Sequence, residues 1–211
     1  TVPANEFENL ADLTMLAAAN EPDASPADNT ASVPFQISAR RDFGDAPEPD
    51  YPTRRWADGA RHRVTAAGPR LGPVVTPLSD PDTDLDGSPS SHAEGDDVLD
   101  GHDDETGVVF LTELVPGEAA QVAIHFDGSP GKVDAWIDFD GQGWTTVGEK
   151  ILDARTLLGT SPYLHSFTVP TWAVPGQTFA RFRISTAGTA DPTGYAADGE
   201  VEDHWVEILG C

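Results

Sequence analysis

A chain of 211 residues, 38% hydrophobic and 8% aromatic, is long enough to build a real core, which excludes a wholly disordered polypeptide. Its charge is lopsided, with 36 acidic residues against 12 basic ones and a formal net charge of −24. Nucleic acid and anionic membrane surfaces repel such a chain, so neither is an expected partner.

The N-terminus has a pattern of its own. Phe7, Leu10, Leu13, Leu16 and Ala17 recur at three- and four-residue steps after Asn5, which predicts a short helix ended by Asn20 and Pro22. Residues 21–32, rich in Pro, Asp, Ala and Ser, read as linker, and residues 33–39 as a first short strand. Residues 1–40 are therefore expected to form an arm and residues 41–211 the main domain. Thr1 in place of an initiator Met fits either the removal of a leader or a sequence trimmed at its start.

Residues 41–105 carry little periodicity and much Pro, Gly and Asp. A loop region that long inside a folded domain needs something to hold it, and bound metal would do so. From Thr106 the chain reads as strands: residues 107–113, 121–127, 132–139, 163–169, 177–185 and 201–209. In the second, Val122, Ile124 and Phe126 alternate with Gln121, Ala123 and His125. In the third, Val133, Ala135, Ile137 and Phe139 oppose Lys132, Asp134, Trp136 and Asp138. Period-two runs separated by turn signals predict an all-β fold, an antiparallel β-sandwich with long acidic metal-binding loops. Arg181 and Arg183 share a strand face and are expected to pair with Glu200, Glu202 or the Asp clusters. The single cysteine, Cys211, excludes an internal disulfide and a Cys-based zinc site, whereas metal ions can staple a fold instead. No apolar run is long enough to span a bilayer.

The acidic residues sit in Gly-punctuated clusters. In residues 138–149, Asp138, Asp140, Gln142, the main chain at Trp144, and Glu149 fall on positions 1, 3, 5, 7 and 12 of a flexible calcium loop, with Gly143 at position 6. Gln at position 5 and a preceding strand make the loop EF-hand-like without being an EF-hand. The alternative is a Gly-rich hairpin whose Asp side chains cap turns. Asp82, Asp84 and Asp86 begin a second such loop, which lacks its closing carboxylate, because Ala93 stands at position 12. Asp96, Asp97, Asp103 and Asp104 belong to a third cluster with six carboxylates in ten residues; packed together, these need a cation among them, and in a solvated loop they do not.

Asp198-Gly199-Glu200-Val201-Glu202-Asp203 resembles the hallmark of the GEVED domain of bacterial secreted and surface proteins. Asp42-Phe43-Gly44-Asp45-Ala46-Pro47, Tyr51-Pro52-Thr53, Gly59-Ala60-Arg61-His62, Gly95-Asp96-Asp97, Ala135-Trp136-Ile137-Asp138-Phe139-Asp140-Gly141 and Ala180-Arg181-Phe182-Arg183 are similar to further family motifs in order, over about residues 42–209. His204 replaces the usual aromatic. The resemblance implies a β-sandwich decorated by acidic loops, secreted or held at the bacterial cell surface, without catalysis of its own and meeting a cell-surface or matrix protein as an adhesion module.

The chain also resembles surface copper-binding proteins of methane-oxidising bacteria, which implies an alternative copper site. Trp56 and His62, with His92 or His102, would be its ligands, although Trp56 and His62 stand further apart than in that family's motif. No nucleophile elbow, phosphate loop or dinucleotide fingerprint is present, so no enzymatic activity is expected. The expected function is that of an exported surface metal-binding module with structural Ca²⁺.

Overall fold

The computed structural model describes residues 7–16, 30–38, 41–72, 83–95 and 105–210. Backbone contacts divide the chain into two units, Thr1–Ala39 and Arg40–Cys211.

In the first unit β1 (Phe7–Leu16) pairs antiparallel with β2 (Thr30–Ser38), placing Leu13 opposite Val33 and Thr14 opposite Ser32. The expected helix is thus corrected to a strand. Short helical and extended patterns share many apolar positions, and a bulge between Glu8 and Leu10 breaks the alternation that would have marked β1. Local spacing also cannot register a complementary strand some twenty residues away, which supplies the backbone hydrogen bonds. The expected strand at 33–39 falls largely within β2, residues 30–32 of the expected linker belong to that strand, and residues 17–29 lie outside the described residues.

The second unit contains β3 (Asp42–Phe43), β4 (Arg61–His62), β5 (Pro69–Leu71), β6 (Val108–Phe110), β7 (Ala119–Ile124), β8 (Phe126–Gly128) and β9 (Gly131–Ile137). It continues through β10 (Lys150–Leu157), β11 (Tyr163–Thr168), β12 (Gly176–Ser185), β13 (Tyr195–Ala196) and β14 (Glu200–Ile208). Four strands in the order β10-β9-β12-β14 make the main antiparallel sheet, and β11-β7-β6 make a second one. β13-β4-β3 and β5-β8 are small additions. Val122 and Ile124 of the second sheet meet Val133, Ala135, Ile137, Phe182, Ile184, Val206 and Ile208 of the main sheet in one apolar cluster. The fold is an all-β antiparallel sandwich.

The other face of the main sheet is covered as well. Asp134, Trp136 and Asp138 are buried, so β9 alternates between two interiors. On that second face Trp136 and Phe179 pack with Ala46, Tyr51, Ala93 and Trp144. The described parts of the Pro-Gly-Asp region around Ala46, Tyr51 and Ala93 therefore form a layer laid over the sheet, and their polar backbone needs fixed partners because water is excluded.

Residues of β12 and β14 provide them. Arg181 and Asp203, both fully buried, form a two-pronged pair with Nε and Nη2 at 2.7 and 2.6 Å from the carboxylate. Asp203 also accepts the Ala46 N–H at 2.8 Å, and Arg181 Nη1 donates to the carbonyls of Pro52 and Pro192 at 2.9 Å each. Gly44 passes so close above the pair that a Cβ there would lie 2.4 Å from Asp203 Oδ2. Arg183 donates to His62 Nε2 and to the carbonyls of Asp191, Thr193 and Gly194. Val201 N–H donates to Asp42, Glu202 accepts the Gly107 N–H, and Glu200 accepts the Leu71 N–H. In place of the expected Glu200, Glu202 or Asp clusters, Arg181 pairs with Asp203, while Arg183 takes an imidazole and carbonyls. Burial and the neighbouring Arg181 push the Arg183 pKa down to about 9, which still leaves it charged at neutral pH.

Candidate metal centre

Strand β9 ends at Ile137, and its alternation sends Phe139 into the apolar core and Asp138 to the loop-covered face. The chain then turns through residues 138–149 and returns as β10. Asp138 organises the turn. Its Oδ1 accepts the N–H groups of Gly141, Asp140 and Gln142 at 2.7, 3.1 and 3.3 Å, and its Oδ2 that of Gly143 at 2.9 Å. The Tyr51 hydroxyl donates to the same Oδ2 at 2.5 Å. Gly143 has φ +79°, and a Cβ there would stand 2.5 Å from the Asp50 carbonyl oxygen, so the turn requires glycine on both counts.

Two further carboxylates converge on Asp138. Asp140 accepts the Gln142 N–H at 3.0 Å and the Thr146 hydroxyl at 2.8 Å. Glu149 reaches back from the end of the loop to accept the N–H groups of Thr146 at 2.7 Å and Phe139 at 3.2 Å. One oxygen from each of Asp138, Asp140 and Glu149 can be chosen so that all lie within 4.8 Å of one another. Two oxygens on opposite sides of one Ca²⁺ stand roughly 5 Å apart, given Ca–O distances of about 2.3–2.6 Å. No Arg, Lys or His among the described residues forms an ion pair with any of the three. The donor set is all oxygen, which suits a hard cation.

The electrostatics follow from this crowding. Burial, reinforced by the Asp138 and Asp140 charges, pushes the Glu149 pKa up to about 7 against the opposing N–H groups of Thr146 and Phe139. Burial also acts to raise Asp138, but the Tyr51 hydroxyl and the N–H groups of Gly143, Gly141 and Asp140 outweigh it and hold the carboxyl below its usual range. Glu149 is the strained member.

A pH prediction follows. Without metal, a folded Glu149 with a pKa of about 7 holds a proton that the unfolded chain, at its ordinary 4.5, has released. Its contribution to stability therefore falls as pH rises from about 4.5 to 7. His62 acts oppositely, because burial and Arg183 hold its pKa well below 6.5. The comparison must accordingly be with Glu149→Gln, which retains His62. In chelator, the melting temperature of wild type relative to this variant is expected to drop between pH 5 and pH 7.5. A constant difference would contradict the assignment.

The other expected ligands are placed as follows. Gln142 is exposed, and its amide donates to the Gly141 carbonyl at 3.2 Å. Trp144 is buried, with Nε1–H on the Phe179 carbonyl at 3.1 Å and the Arg181 guanidinium 4.3 Å from its ring centre. Asp84 forms a backbone bridge with Arg41, and Asp86 accepts the N–H groups of Arg55 and Gly87. Neither joins the group of three, and Asp86 serves as a turn cap. Asp82, Asp96, Asp97, Asp103, Asp104 and His102 lie outside the described residues.

The copper alternative loses its central ligand. His62 is fully buried with Nδ1 2.9 Å from the Asp198 carbonyl and Nε2 3.0 Å from Arg183 Nε. The carbonyl fixes the proton on Nδ1, so Nε2 accepts from Arg183 and no lone pair remains for a metal. Trp56 stands 75% exposed on the 3₁₀ turn Arg55–Ala57. His92 is exposed, bonded to the Ser91 hydroxyl and 5.8 Å from the Trp205 ring.

Tyr51 and Thr146 were not foreseen as parts of the site. Only the Tyr-Pro-Thr run hinted at Tyr51, and nothing in it indicates an approach to residue 138. Residues 132–207, from β9 into β14, match the family model of the GEVED domain. No match was found among curated proteins or among solved structures.

Proposed function

Taking as premise that the chain carries a GEVED domain across residues 132–207, we propose that it is an exported, non-catalytic surface module whose loop 138–149 holds a structural calcium ion. GEVED domains are associated with extracellular and surface proteins, and among the described residues no helix is long and apolar enough to cross a membrane.

One observation carries the metal reading: three carboxylates gathered within 4.8 Å without a basic partner among the described residues, one of them raised to about 7 by burial and its neighbours. A divalent cation reverses that repulsion. Asp138, Asp140 and Glu149 would be its charged ligands, with the Gln142 side chain and the Trp144 carbonyl at the remaining loop positions. Calcium supplies no chemistry here beyond positive charge and coordination. The chain supplies a buried Asp138 that fixes the turn, a Glu149 that closes it, and a covering layer that limits water. The surface role is that of an adhesion or interaction module whose loops are stiffened by the ion.

Binding to the folded form alone stabilises it by about 2.7 kcal/mol at a free concentration of 100 times Kd. For a chain of this size that corresponds to roughly 5–10 °C. Calorimetric melts of protein stripped with chelator, with and without millimolar Ca²⁺, are expected to differ by about that amount, with Mg²⁺ less effective. Coincident melts would remove the calcium reading.

A further inference from the structure

We propose that the hydroxyl of Tyr51 sits on the carboxylate lone pair of Asp138 that a bound cation needs, so that Tyr51 sets the affinity of the site. The proposal rests on the calcium reading of loop 138–149 and adds to it a residue outside the loop.

Asp138 accepts five hydrogen bonds, and a carboxylate offers about four lone-pair positions. Four of the donors are consecutive backbone N–H groups, of residues 140 to 143, held by the turn itself. The fifth is the Tyr51 hydroxyl, from a distant part of the sequence. A cation that coordinates Asp138 must displace one of these donors, and only the hydroxyl can leave without unmaking the turn. It has somewhere to go: Thr178 Oγ1 lies 3.4 Å from it, and that hydroxyl already donates its own proton to the Asp138 carbonyl at 2.8 Å, so it can accept. The ring need not move, because it is wedged between Trp144 and Phe179 at 4.7 and 4.9 Å.

The hydroxyl thus acts as an internal substitute for the ion, satisfying Asp138 in its absence and competing with it in its presence. The competition gives a sign that a merely structural residue does not: deleting the hydroxyl tightens binding.

Calcium titration calorimetry on wild type and Tyr51→Phe tests this directly. Phenylalanine keeps the ring packing, and Kd is expected to fall about tenfold, equivalent to about 1.4 kcal/mol. An unchanged or weaker Kd would overturn the proposal and leave the calcium reading standing; absence of binding by both proteins would overturn both. A wild-type measurement guards against a misfolded variant. The Tyr51 hydroxyl proton, in a 2.5 Å bond to a carboxylate, should resonate far downfield in metal-free protein and lose that position on saturation with Ca²⁺. A resonance unmoved at saturation would also overturn the proposal.

Discussion

Arg181→Met is expected to lower the free energy of unfolding by about 3–5 kcal/mol, the usual consequence of stripping one partner from a fully buried ion pair. Arg181 and Asp203 are both inaccessible to water, so the carboxylate left behind is buried without its two-pronged partner, with the Ala46 N–H as its remaining hydrogen-bond donor. The carbonyls of Pro52 and Pro192 lose their donor together, and the Trp144 ring loses the guanidinium above it. Methionine fills much of the volume, which isolates the electrostatic effect from a cavity. Urea denaturation in saturating Ca²⁺ measures it. A loss below about 1 kcal/mol would mean that the pair is hydrated and does not pin the loop layer. Arg181→Met combined with Asp203→Leu should recover part of the loss, because the orphaned charge is then gone.

Asp138→Ala is expected to destabilise the metal-free protein by about 3 kcal/mol, since several buried or half-buried donors lose their acceptor at once. The Gly143 N–H and the Tyr51 hydroxyl are the most enclosed of these, whereas the N–H groups of Asp140, Gly141 and Gln142 can turn to water. Relief of repulsion on Glu149 offsets a little of the loss. The same change should abolish the stabilisation by Ca²⁺, because the remaining Asp140 and Glu149 sit on opposite limbs of a turn that no longer closes. Melting curves in chelator and in Ca²⁺ give both quantities. A variant that melts lower yet keeps the full calcium shift would place the ion elsewhere.

The sequence made the core legible because burial on one face leaves a period of two. Val133, Ala135, Ile137 and Phe139 all lie in the apolar cluster. It concealed the second interior, since Asp134, Trp136 and Asp138 carry the polar look of a solvated face and are buried beneath loops. That layer is held by backbone N–H groups and carbonyls bonded to a few side chains, and such contacts leave no spacing to read. β10 escaped notice for a related reason: bulges after Lys150 and Leu152 and exposed residues at 153–156 erase its alternation. The GEVED motif serves the loop layer: Glu200, Glu202 and Asp203 bind Leu71, Gly107 and Arg181, and among the described residues none of them belongs to the cluster of Asp138, Asp140 and Glu149. The loop at 138–149, by contrast, was visible as oxygen-bearing residues at fixed intervals, and the fold brings Asp138, Asp140 and Glu149 together as that spacing implied. Tyr51 lay beyond reach, because 87 positions separate it from the carboxylate it touches.

The most direct measurement is calcium titration of chelator-stripped protein beside the Asp140→Asn, Glu149→Gln double variant, read by calorimetry at pH 7.5. Saturable binding by wild type that the double variant loses is the expected result. Heats of dilution alone from wild type, or equal binding by both proteins, would show that the carboxylates of loop 138–149 hold no ion.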